Sequence, residues 1–161
     1  SRTGAGTYGS LVPLMRTSTA SVPTLVFERT PEGEVPRLAV GAAGNAWIPV
    51  SVYNIILGVI DARLGAQAAI EAPRFLPARD PADPREDGAL IQIEDRFPRG
   101  VLEDLRARGH VFQKIGRKGE VRYGYAAVVT VDAKNRRVEG GAEPRRSHAA
   151  VALESKPTSS R

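Results

Sequence analysis

"AVGAAGNAWIPVSV", residues 39–52, runs from an apolar segment through four small residues to a bend at Gly44-Asn45 and into a helical pattern. Upstream of the bend the residues alternate. Leu38, Val40 and Ala42 would line one face of a strand, and Ala39, Gly41 and Ala43 the other. The second face is all small, which suits close packing of a neighbouring layer or close approach of a ligand. Downstream, Ile48, Val52, Ile55, Ile56, Val59 and Ile60 recur at three- and four-residue steps, one stripe of a helix. Pro49 falls in its first turn, where a missing N–H does no harm. Asn45 is the expected N-cap, and Gly65 the expected end. Amides at such a strand–turn–helix junction point outward unsatisfied, and the helix dipole adds partial positive charge. The turn can therefore bind an anion, hold a developing oxyanion, or only change the direction of the chain.

Working outward, "PTLVFER" (23–29) reads as a strand, "TPEGEVP" (30–36) as a turn, and residues 37–43 as a second strand, an antiparallel hairpin. "AQAAIEA" (66–72) is a short helix stopped by Pro73, and "RFLPARDPADPRED" (74–87) reads as an irregular surface loop. "ALIQIED" alternates as a strand. "PRGVLEDLRARG" is an amphipathic helix with Val101, Leu102 and Leu105 on its apolar side and Gly109 just past its end. "HVFQKIG" and "VRYGYAAVVTVDA" are further strands, and "KNRR" turns the chain into "VEGGAEP". The order predicts an α+β architecture with helices over a mainly antiparallel sheet. Residues 1–20 read as a loop or arm, 21–151 as the folded region and 152–161 as a flexible tail.

The 161 residues, 42% hydrophobic and 25% charged, fit one globular domain with a real core. A net charge of +5 invites a nucleic-acid reading. The arginines are scattered, however, and the densest cluster is interleaved with Glu94, Asp95, Glu103, Asp104 and Glu120. With few aromatics there is no stacking platform, so the expectation is a solvated basic surface and no nucleic-acid partner. The absence of cysteine excludes a disulfide framework and a thiol nucleophile. Two histidines, His110 and His148, read as exposed structural residues, so no metal site and no cofactor are expected. No apolar run reaches the roughly 18 residues of a membrane span, and residues 1–10 lack the pattern of a signal peptide. No G-x-G-x-x-G, P-loop or G-x-S-x-G motif is present. Glu71 reads as a helix-surface charge and Glu94 as a salt-bridge partner.

In order and spacing, "PTLVFE", "LAVGAAGNAWIP", "AQAAIEAPRF", "VLEDLRARGH" and "AEPRRSHAAV" resemble the C-terminal part of the small subunit of γ-glutamyltranspeptidases. "AAIEAPRF" is the most specific of these segments. The resemblance implies part of an αββα N-terminal-nucleophile hydrolase sandwich. It also implies an autoprocessed precursor whose N-terminal Thr attacks a γ-glutamyl or related acyl amide, with its own α-amine as base. The oxyanion-hole amides would fall to Gly44 and Asn45; an Asn keeps the N–H and tolerates left-handed backbone. The family's paired serines, which grip the substrate α-carboxylate, match Thr19 and Ala20, or Ser18 and Thr19 one residue earlier. Ala43 and Trp47 replace the family's Pro and Arg around the turn. Only eighteen residues precede Thr19, and neither Ser1 nor Thr3 carries the family's nucleophile pattern. The expected partner is therefore the large subunit or a missing N-terminal part of the same precursor, alongside a small γ-glutamyl or acyl-amide substrate. The alternative is a non-catalytic interaction domain derived from the same fold. The family's habit is secreted or periplasmic; the residues themselves fix no compartment.

Overall fold

A computed structural model describes residues 19–79, 89–115 and 124–152. Most of the predicted arm, including Ser18, and all but residue 152 of the predicted tail lie outside the described residues. Strands β1 (Thr24–Thr30) and β2 (Gly33–Ala43) form the expected antiparallel hairpin. Its turn is tighter than the predicted 30–36, because Thr30 already pairs with Gly33. Gly33 takes φ 131, so the chain reverses at once. Pro36 is tolerated inside β2 because that stretch pairs only with β1; pairing to β6 begins at Leu38. The register shifts between Val26 and Phe27, opposite this proline.

Helix α1 (Trp47–Ile60) follows the bend, and α2 (Ala66–Glu71) follows α1. Two sequence expectations fail here. Gly65 does not end α1: Arg63 takes the left-handed conformation at φ 54, and the Leu64 N–H closes onto the Gly58 carbonyl at 2.9 Å. Gly65 instead starts α2 as its N-cap. Nor does Asn45 cap α1 through its side chain. The cap position is Ala46, without a side-chain bond, and Asn45 itself sits at φ 56.

The predicted loop after Arg74 begins as strand β3 (Phe75–Arg79), antiparallel to β4 (Ala89–Ile93). The prolines and aspartates of 74–87 predict a loop, but Pro77 sits in β3, an edge strand, where a proline can be tolerated. Helix α3 (Arg99–Ala107) then crosses to β5 (Val111–Lys114), which runs parallel to β4. One parallel pair therefore stands in an otherwise antiparallel fold. β6 (Tyr125–Asp132) and β7 (Arg137–Ala142) complete a four-stranded sheet of order β1-β2-β6-β7, beside the three-stranded β3-β4-β5.

Helices α1 and α2 cover one face of the larger sheet. Leu38, Val40, Ala126 and Val128 meet Val52 and Ile55 of α1 and Ala66, Ala69 and Ile70 of α2 in one core. Burying each of the larger side chains contributes about 1.5–3 kcal/mol. On the other face, the register lines up Leu25, Ala39, Val129 and Gly140 across all four strands. Leu25 is 66% exposed and Val129 41%. Among the described residues this apolar face carries no helix layer.

Candidate functional site

β2, β6 and α1 converge at one end of the larger sheet. Ala43 pairs with Tyr125, and the chain then bends through Gly44 (φ 125) and Asn45 (φ 56). The carbonyls of Gly44 and Asn45 turn into the helix, accepting from the N–H groups of Trp47 at 3.2 Å and Ile48 at 3.0 Å. The N–H groups of Gly44 and Asn45 donate to no described residue, and both residues are exposed. Amides of two exposed residues at the N-terminus of a fourteen-residue helix, with no acceptor among the described residues, are suited to a negatively charged oxygen.

β1 enters the sheet at Thr24, opposite Val40, so the preceding chain arrives at this same end. Thr19 lies on that approach. It is exposed, and its Oγ1 accepts a hydrogen bond from the Ser21 N–H at 3.1 Å. Ser18 lies outside the described residues. Tyr125 carries the Arg146 guanidinium 5.2 Å from its ring centroid and the His148 ring edge-on at 5.5 Å. His148 thus belongs to an exposed aromatic contact beside the bend. His110 stands far along the chain, at the start of β5, against Phe112.

Beneath the bend lies an ionic cluster that sequence reading did not assemble. Arg74, between α2 and β3, meets Glu143 at 2.7 Å, and both side chains are sealed from solvent. Arg145 forks onto Glu94 through two nitrogens and reaches Glu143 at 2.8 Å. It also donates to the carbonyls of Ile70 and Ala72, each at 2.9 Å, satisfying the C-terminal end of α2. Glu143 accepts from the Ala126 N–H at 3.1 Å, so the cluster is bonded into β6. Glu94 accepts from the Arg74 N–H at 3.2 Å. Two guanidiniums and two carboxylates thus tie the smaller sheet, α2 and the larger sheet together.

The environment moves their ionisation. Burial lowers the Arg74 pKa, aided by the like charge of Arg145. Burial alone would raise that of Glu94, but the hydrogen bonds and charge of Arg145 outweigh it and hold the carboxyl below its ordinary value. The expectation that Glu94 pairs in a salt bridge holds, though the pair is buried. Glu71 is a surface acceptor for Gln67. The signal for the cluster lay in "APRF" and "AEPRR", whose arginines and glutamate read in isolation as ordinary charges.

A groove of about 710 Å³, lined by Val26, Val59, Ile60, Arg63, Leu64 and Asp132 among others, opens at the opposite end of the sheet, away from the bend. Among the described residues, no group of three or more His, Asp or Glu side chains could hold a metal ion. No helix there is long and apolar enough to cross a membrane.

The family model described as Gamma-glutamyltranspeptidase matches residues 5–153. The chain is 28% identical over 144 residues to the Glutathione hydrolase-like YwrD proenzyme of Bacillus subtilis (strain 168), covering 89% of this chain and 26% of that protein. It is 30% identical over 119 residues to the Acylase ACY 1 proenzyme of Pseudomonas sp. (strain SE83), covering 74% and 18%. Among solved structures, γ-glutamyltranspeptidase from Pseudomonas nitroreducens complexed with L-DON superposes with a TM-score of 0.66 at 20% identity, over 90% of this chain and 68% of that one. Cephalosporin acylase from Bacillus halodurans gives 0.60 at 26% identity, over 75% and 21%. The shared fold is that of the N-terminal-nucleophile hydrolases. The chain spans about a quarter or less of the curated relatives' length.

Proposed function

The chain belongs to the γ-glutamyltranspeptidase family, and from that premise we propose that it forms the oxyanion wall of an amidohydrolase or acyltransferase whose nucleophile lies on another segment. The carrying observation is the bend at Gly44 and Asn45, two exposed residues at the start of α1 whose N–H groups meet no acceptor among the described residues. In the proposed reaction an N-terminal Thr hydroxyl attacks the carbonyl carbon of a γ-glutamyl or related acyl amide, and its α-amine takes the proton. The carbonyl oxygen becomes an oxyanion held by the Gly44 and Asn45 N–H groups. The C–N bond then breaks, the amine leaves with the proton, and the acyl ester passes to water or to an acceptor amine.

Thr19 lies at the right end of the sheet to contribute a hydroxyl to substrate binding, with Ser18 beside it in sequence. The position after Thr19 is alanine, so one of the family's paired hydroxyls is lost in that register. The acyl group recognised is accordingly less tied to a γ-glutamyl α-carboxylate. Relatives named as glutathione hydrolases and as acylases both fit that breadth.

The apolar face through Leu25, Ala39 and Val129 is the surface on which the partner segment, carrying the second sheet of the sandwich, would pack. Turnover of a γ-glutamyl anilide tests the whole reading. The complete processed protein should be active and the 161-residue chain alone inactive; activity from the isolated chain would refute the division of labour.

A further inference from the structure

Gly44 and Gly124 meet backbone to backbone. A Cβ on Gly44 would stand 2.3 Å from the Gly124 Cα. One on Gly124 would stand 2.8 Å from the Ala43 carbonyl oxygen and 2.9 Å from Trp47 Cβ. All three separations are closer than real Cβ atoms come to their neighbours, and most of the atoms in the way are backbone, which cannot swing aside. Gly124 itself adopts φ 68, which also favours glycine. The atoms that crowd Gly124 lie on both limbs of the bend, Ala43 at the end of β2 and Trp47 at the start of α1. Ser51 closes the same space from the second turn of α1. Its Oγ would lie 3.5 Å from a Cβ on Gly124, is fully buried and bonds to no described residue. On the β6 side, the Ala126 N–H is fixed by the Glu143 carboxylate.

We infer that Gly124 is a positioning residue for the oxyanion bend. With no side chain, it lets the start of β6 seat against both limbs of the bend and so sets where the Gly44 and Asn45 amides point. The buried ionic cluster anchors β6 two residues further on and makes that seat rigid. This inference rests on the oxyanion role proposed above and adds a residue that makes no contact with substrate.

The test uses the complete processed enzyme. Gly124→Ala should lower kcat about ten- to a hundred-fold while KM stays within about twofold; losing a donor outright costs about 100- to 1,000-fold. Gly141→Ala is the matched control. Its Cβ would lie 2.6 Å from the Ala66 carbonyl oxygen, a backbone clash between β7 and α2 that touches neither limb of the bend. That variant should lose thermal stability and keep its kcat. Ser51→Thr, which adds one methyl to the same packed space, should lower kcat by a smaller factor, and it decides the matter if Gly124→Ala does not fold. Equal kcat for the variants at Gly124 or Ser51 and for Gly141→Ala would overturn the positioning role while leaving the proposed reaction intact. A wild-type enzyme without turnover would sink both.

Discussion

The Arg74 guanidinium stands 2.7 Å from the Glu143 carboxylate, with the two side chains 1% and 0% exposed. Glu143 is shared with Arg145, which itself forks onto Glu94. Desolvating four charges is expensive, and their attraction offsets that cost only while the set is complete. Glu143→Ala takes from the buried Arg74 its carboxylate, leaves Arg145 on Glu94 alone, and strips the Ala126 N–H of its acceptor. It should destabilise the fold by about 3–5 kcal/mol, read as a lower urea midpoint. Arg74→Lys should restore only part of the stability that Arg74→Ala loses, because a compact ammonium does not match the reach of the guanidinium to both the Glu143 carboxylate and the Ile70 carbonyl.

Acid should weaken the same cluster. Glu94 has a folded pKa below its unfolded value, so its contribution to stability is present above the unfolded value of about 4.3. It is lost progressively as the pH falls from there through the depressed folded value. Urea midpoints measured from neutral pH downward should therefore hold above about pH 5 and then decline. Glu94→Gln should flatten part of that acid limb; an unchanged limb would show that Glu94 does not carry it.

Much of this architecture was legible before the structure. The period of the Ile48–Val59 stripe gave α1, and alternation gave β2 with Leu38 and Val40 facing the core. What escaped has physical causes. β3 looked like a loop because Pro77 is rare in strands, and its edge position is invisible in sequence. The Asn45 side chain was expected to cap α1, but the left-handed backbone at that residue leaves the cap position to Ala46. The ionic cluster joins residues 74, 94, 143 and 145 through tertiary contacts, which no local pattern encodes. The Gly44–Gly124 contact spans eighty positions for the same reason.

The left-handed backbone at Asn45 sets an order among replacements. Asn45→Gly keeps the amide and the conformation and removes a side chain, so kcat in the complete enzyme should be equal or higher. Asn45→Ala must pay about 1–2 kcal/mol for φ 56, and Asn45→Val, branched at Cβ, more. The predicted order of kcat is Gly, Asn, Ala, Val. A valine enzyme as fast as wild type would show that the bend does not touch the reaction.

Leu25 and Val129 test the exposed sheet face. Changing both to threonine keeps β-propensity and cuts apolar area. The isolated chain should lose little stability, within about 1 kcal/mol. Association with the segment carrying the nucleophile should fall several-fold by size-exclusion titration. Unchanged association would place the partner elsewhere.

The central claim is that the Gly44 and Asn45 amides hold the oxyanion. A crystal structure of the complete enzyme with a tetrahedral adduct on its nucleophile measures this directly. The account predicts both nitrogens at about 2.7–3.1 Å from the adduct oxygen. An adduct whose oxygen is held by other donors, with the bend out of hydrogen-bonding reach, would contradict it.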